Sequence, residues 1–316
     1  MLAVGIDIGG TKIAGALVDA EGSLIKKIHR PSPAHDAQTM ADTVADMVRE
    51  LAAGTDVTAV GVAAAGFIDR DQSTVYYAPN IAWRNEPLKA ELEKRLPYQV
   101  LIENDANAAG WAEYRFGAGR LVRDMTLLTI GTGLGGAIIA GGQLFRGGFG
   151  SAAELGHLKV ETNGLLCGCG QHGCIEQYAS GRALLRHAEA VANDPERAGG
   201  LASVRDADGN ITPEDLKRLL EAGDPGAMQA LVELGTWLGR ACASIAAILD
   251  PELFVFGGGV SVAGEALIAP IRAAYRENLS ARGFHPEADF RVAELLNDAG
   301  VVGVADLARL HAESGM

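Results

Sequence analysis

Apolar residues fall in short runs that glycines repeatedly interrupt. Residues 2–8 read as a buried strand that runs into Asp7-Ile8-Gly9-Gly10-Thr11-Lys12. A second strand over 13–18 closes a hairpin before the turn Asp19-Ala20-Glu21-Gly22. Met40, Val44, Met47 and Leu51 recur at helical spacing, which predicts a helix over 36–51 that Gly54 ends. A strand over 57–62 leads into Ala63-Ala64-Ala65-Gly66, a short helix covers 87–96, and a strand over 100–103 stops where an alanine-rich helix begins. Strand, glycine turn, strand then returns: 126–130, Gly131-Thr132-Gly133-Leu134-Gly135-Gly136, and 137–140. Helices are predicted over 177–193, 213–223, 225–249 and 261–279, with a last one over 301–311. Strands over 253–256 and 290–292 fall among them. Strands alternating with helices predict the α/β class.

Length and composition narrow the picture. At 316 residues, 48% hydrophobic and 21% charged, the chain can bury a large core and is expected to form two domains, 1–108 with about 300–316, and 109–299. A formal net charge of −13 argues against nucleic acid or an anionic membrane as partner. The opening Met-Leu-Ala-Val-Gly-Ile-Asp lacks a basic leader and reads as a strand, and no unbroken apolar run reaches spanning length. Few cysteines, clustered at metal spacing, fit a reducing compartment; the expected location is cytoplasmic.

The chemistry sits at the glycine turns and strand ends. A hairpin tipped by Gly9 and Gly10 exposes backbone N–H groups to a phosphate. Thr11 and Lys12 add a hydroxyl and a charge, and Asp7 could hold Mg²⁺ through water. Walker-loop spacing is absent. The second turn matches G-x-G-x-x-G, but the dinucleotide fingerprint demands a helix after it, and a short strand follows instead. Two hairpins therefore imply two similar domains with a nucleotide's phosphates between them. Gly257, Gly258 and Gly259 make a third turn where adenine could lie against bare backbone. Asp105 stands just past a strand's carboxyl end, where α/β proteins bind ligands. Asn104 and Asp105 read equally as a helix cap and as a general base with its orienting neighbour.

Three of the four cysteines, Cys167, Cys169 and Cys174, lie within eight positions, interleaved with glycines. A disulfide at one-residue spacing is strained and leaves a thiol over, whereas three thiolates and one imidazole satisfy zinc. His157 is the preferred fourth ligand and His172 the rival. Glu154 and Glu176 bracket the stretch, so the metal would hold a polar constellation suited to a polyhydroxylated ligand. Helix capping explains the two glutamates equally well.

D-I-G-G-T-K, E-N-D-A-N, G-T-G-L-G-G and C-G-C-G-x-x-G-C-x-E, in that order, resemble the ROK family of repressors, open reading frames and kinases, across nearly the whole chain. The resemblance implies the actin-like ATPase (ribonuclease H-like) fold, two α/β domains flanking a cleft, with ATP and sugar inside it. Family repressors carry a helix-turn-helix segment ahead of the first hairpin. This chain opens on the hairpin, so a kinase is expected, most similar to bacterial enzymes that phosphorylate glucose. By position in the motifs, Asp105 would activate the sugar 6-hydroxyl. Gly66, Asn104, Glu154, His157 and Glu176 would line or hold the sugar. His157, Cys167, Cys169 and Cys174 would bind structural Zn²⁺. Asp7, Gly9, Gly10, Thr11 and Lys12, with Gly131, Thr132, Gly133, Gly135 and Gly136, would hold the phosphates of ATP and its Mg²⁺, and Gly257 to Gly259 the adenosine. Family kinases are commonly homodimers or homotetramers.

Overall fold

The computed structural model describes residues 1–78, 80–206 and 208–314; the last two positions of the expected C-terminal piece, 315–316, lie outside them. Two compact units emerge: Met1–Arg123 with Ala137–Ala153 and Glu294 onward, and Asp124–Gly136 with Glu154–Ala293.

The first unit is built on a mixed sheet. Strands β1 (Leu2–Ile8), β2 (Lys12–Val18) and β3 (Leu24–Pro31) form an antiparallel meander. β4 (Val57–Ala64) and β8 (Val100–Asn104) add in parallel, giving the order β3-β2-β1-β4-β8. Helix α1 (Ala37–Ala52) starts where the Asp36 carboxylate accepts the N–H groups of Gln38 and Thr39, and it buries Met40, Val44, Met47 and Leu51. Helix α8 (Ala299–Ser314) packs at backbone distance: a Cβ on Gly5 would lie 2.0 Å from the Val301 carbonyl, and one on Gly303 only 1.8 Å from Ala108 O on α3 (Asp105–Phe116). Such spacing is open only to glycine, and it seats α8 closely on both β1 and α3.

Two elements here are absent from the sequence reading. β3 is almost wholly exposed, an edge strand rich in Lys and Arg with no apolar alternation to announce it. A small sheet of β5 (Phe67–Ile68), β6 (Val75–Tyr77) and β7 (Arg84–Glu86) has strands too short to show a period; α2 (Leu88–Glu93) follows it.

In the second unit, β9 (Met125–Ile130) pairs in parallel with β12 (Leu253–Gly257), and β12 with β13 (Asp289–Val292). The five-stranded sheet these strands belong to reads β11-β10-β9-β12-β13; β10 is Leu134–Ala140 and β11 Gln143–Leu144, their residues from 137 on falling in the stretch assigned above to the first unit. Its core is wrapped by α4 (Gly181–Ala192), α5 (Pro213–Glu221), α6 (Pro225–Leu249) and α7 (Glu265–Asn278). α6 opens at an Asp224 cap followed by Pro225 and stops at Asp250, which adopts a left-handed conformation. By length and composition α6 could cross a membrane, but half of its most apolar window is buried in this core. The helix expected over 177–193 begins later, at Gly181, because Ser180 caps it, and a tight turn over Ile175–Gln177 precedes it. The helix expected from 261 begins at Glu265, after a tight turn over Gly259–Ala263.

Candidate functional site

In the first unit the polar groups gather where parallel strands end. Asp7 is the penultimate residue of β1, in register with Ala63 on β4, and the hairpin turns after Ile8, with Gly9 N–H donating to Lys12 O at 3.0 Å. Thr11 and Lys12 are exposed at its tip. Asn104 closes β8 and caps α3: its Oδ1 accepts the Asn107 N–H at 3.0 Å while its Nδ2 donates to Gly66 O at 3.1 Å. The residue is thus a cap and a tether at once. Gly66 cannot be larger, since a Cβ there would lie 2.5 Å from Tyr77 O.

Asp105 stands on the first turn of α3, where its Oδ1 accepts the Ala106 N–H at 2.9 Å. Burial raises its carboxyl above the usual range, against that hydrogen bond. Burial, and then the charge of Asp105, push Asp7 up to about 7, with Lys12 opposing. A carboxylate poised near neutrality at a strand end is the kind of group that takes up protons or cations.

In the second unit, the turn after β9 is held from three sides. Gly131 N–H reaches Gly133 O at 3.0 Å, Gly181 N–H donates to Gly131 O at 2.8 Å, and the Glu176 carboxylate accepts the Leu134 N–H at 3.1 Å. Gly135 and Gly136 continue into β10. A turn bearing His157 presses on the same point, since a Cβ on Gly156 would lie 2.0 Å from Leu134 O. Glu154 precedes that turn and accepts the His157 N–H through its carbonyl. Gly257, the last residue of β12, is buried. Gly258 takes a φ of 83° and accepts the Ser261 hydroxyl through its carbonyl at 2.8 Å, and Gly259 opens onto a cavity of about 650 Å³. Gly131 and Thr132 form part of its wall. The rest is mainly aliphatic, with Arg182, Lys217 and Glu221 among the polar exceptions. That volume and lining suit a nucleoside.

The cysteine loop wraps on itself. Cys167 N–H bonds Gln171 O at 2.7 Å and Gly170 N–H returns to Cys167 O at 2.9 Å. Cys167 Sγ lies 3.7 Å from His157 Nδ1, and Cys169 Sγ lies 3.6 Å from Cys174 Sγ. All four ligand atoms fall within 4.8 Å of one another. A tetrahedron with zinc–sulfur bonds of about 2.3 Å has edges near ~3.8 Å, whereas a disulfide draws sulfurs to about 2.0 Å. The geometry therefore fits the metal, and the thiols are free. Burial, then the thiols of Cys169 and Cys167, push Cys174 up to about 12; a bound cation is what reverses such a shift. His172 instead lies on the exposed side, its Nδ1 3.0 Å from Gly164 O. Glu176 also takes the Cys167 thiol at 3.8 Å, linking the cysteine loop to the glycine turn.

Sequence reasoning missed Glu103, buried beneath Asn104 and paired with Arg146. A charge inside the apolar run Val100-Leu101-Ile102-Glu103 was the available signal. It also missed Glu113, whose buried carboxylate accepts three backbone N–H groups, from Ala118, Glu294 and Leu295.

Two mixed α/β sheets with glycine hairpins of this kind define the actin-like ATPase fold. The ROK family model matches residues 3–311, and the chain belongs to that family. It is 47% identical over 311 residues to a glucokinase of Streptomyces coelicolor, covering 98% of each chain. Among solved structures it is similar to a ROK family glucokinase from Streptomyces griseus in complex with glucose and AMPPNP, at a TM-score of 0.86, 47% identity, and coverage of 98% of this chain and 100% of the other. It is also similar to a ROK hexokinase from Thermus thermophilus, at a TM-score of 0.81 and 33% identity with both chains fully covered.

Proposed function

We propose that this protein is a glucokinase, transferring the γ-phosphoryl group of ATP to the 6-hydroxyl of glucose. The reading rests on Asp105, a carboxyl with a raised pKa on the first turn of a helix at a strand end, in a chain similar end to end to a kinase solved with glucose and AMPPNP. Phosphoryl transfer leaves the protein little covalent work; position and charge carry it. Asp105 accepts the hydroxyl proton as the sugar oxygen attacks in line. Gly66, Asn104, Glu154, His157 and Glu176 hold the sugar, His157 doing so through the ring nitrogen not turned to the cysteines. Gly257 to Gly259 and the adjoining cavity take the adenosine, and the hairpin N–H groups take the phosphates. Mg²⁺, when bound, would neutralise phosphate charge; Asp7 would hold it through water, and Lys12 would meet a phosphate oxygen. His157, Cys167, Cys169 and Cys174 would hold Zn²⁺, whose bonds would order the loop. The free thiols suit the reducing cytoplasm.

The test is ADP release with Mg·ATP against glucose, mannose, fructose and N-acetylmannosamine. Glucose is expected to give the highest kcat/KM, with turnover lost when Mg²⁺ is chelated. A higher kcat/KM on another sugar, or no turnover on any, overturns the assignment.

A further inference from the structure

Beneath Asn104 and Asp105 lies a carboxylate that makes no contact with solvent worth the name: Glu103 is 2% exposed. Its acceptor capacity is filled. Oε1 takes the Asn104 N–H at 3.0 Å and the Asn107 side-chain amide at 3.0 Å. Oε2 takes the Gln72 amide at 3.0 Å and the Arg146 Nε at 2.7 Å. Arg146 is the only cation in this set, and it arrives from a segment forty-three residues away. Asn107 is itself buried, and its backbone N–H caps back to Asn104 Oδ1. Turning its amide over would set a carbonyl against the Glu103 carboxylate, so its orientation is fixed. One ion pair therefore closes a ring of bonds around the first turn of α3, on which Asp105 stands.

We propose that Glu103 and Arg146 are positioning residues for the transfer reaction. Arg146 keeps Glu103 aimed, and Glu103 sets the backbone of Asn104 and the side chain of Asn107, hence the direction in which Asp105 faces the sugar hydroxyl. This rests on Asp105 being the base. Neither residue touches substrate. Removing Arg146 leaves a buried, uncompensated charge; removing both partners does not. The two variants therefore act as one unit, with non-additive effects.

The experiment compares Glu103→Gln, Arg146→Met, Arg146→Lys and the double variant Glu103→Gln/Arg146→Met in the full chain, well below each melting temperature. Glu103→Gln and Arg146→Met are each expected to lower kcat on glucose roughly tenfold to a hundredfold, the scale of a misplaced catalytic group, with KM for ATP unchanged. Arg146→Lys is expected to recover part of the loss, and the double variant to be no slower than the slower single. A kcat within twofold of wild type for both single variants, or losses that multiply in the double, overturns the proposal. Amide hydrogen exchange of a peptide covering 103–108 is read in parallel and needs no turnover. It is expected to accelerate in both single variants, and unchanged exchange also overturns the proposal. Failure of the wild-type protein to phosphorylate any sugar would instead remove the assigned function, leaving the exchange result to judge the positioning.

Discussion

The two glycine hairpins are close relatives in sequence and opposites in construction. Before the first stands Asp7, with a pKa near 7; at the same distance before the second stands Thr129, which carries no charge. The first turn is held by backbone bonds alone, Gly9 N–H to Lys12 O across its tip and Ser32 N–H to Thr11 O from the end of β3. The second is pinned by Gly181 and Glu176 and borders an aliphatic cavity of about 650 Å³. The first unit thus contributes titratable charge at strand ends, Asp7 and Asp105. The second contributes fixed backbone, a mainly aliphatic cavity, and a loop that gathers one histidine and three cysteines at metal-binding spacing. One motif has been put to two uses, and which use is decided by neighbours that come from elsewhere in the chain.

The contrast can be broken first at its charged half. Asp105→Asn is expected to lower kcat about 10²- to 10⁴-fold, the range of general-base catalysis, with steady-state turnover as the readout; a loss below tenfold would move the base elsewhere. The stapled half comes next. Cys169→Ser should empty the zinc site, as metal analysis of the purified protein would show. A destabilisation of ~3 kcal/mol would lower the melting temperature by roughly 6–12 °C in a unit of this size, and full zinc occupancy in the variant would refute the ligand set. Gly156→Ala forces a Cβ against Leu134 O. It should cost about 1–3 kcal/mol in denaturant unfolding, without changing zinc content.

The smallest effect concerns Asp7. Its folded pKa of about 7 exceeds the usual 3.8, so the folded state carries a penalty that is absent below the lower value and complete above the higher. Stability without ligands should fall as pH rises through that window. Asp7→Asn should remove the penalty, stabilising the free protein at pH 8 and changing it little near pH 4. Melting curves across pH read this directly, and equal effects at both pH values would contradict it.

Much of this was legible beforehand, for reasons particular residues make plain. The cysteine cluster is local, so its spacing alone states its geometry. The G-x-G-x-x-G turn could be denied a dinucleotide role because the residues after it are too few for a helix, and β10 occupies them. Asn104 could not be resolved as cap or functional group from sequence because it is a cap in fact, and its second bond, to Gly66, spans thirty-eight residues. Glu103–Arg146 and the three N–H groups collected by Glu113 are invisible for the same reason: their partners are brought together only by the fold. Strand β3 went unread because an exposed edge needs no apolar pattern.

The division of labour is tested most directly by calorimetric titration of AMPPNP into wild-type protein, Asp105→Asn and Gly259→Leu. Nothing lies within 4 Å of where a Cβ on Gly259 would go, so a leucine there starts in open space and takes up part of the cavity that Gly259 borders. Wild-type affinity in Asp105→Asn, with affinity at least ~10-fold weaker in Gly259→Leu, a change of about 1.4 kcal/mol, is the predicted result. Undiminished binding by Gly259→Leu would contradict the account.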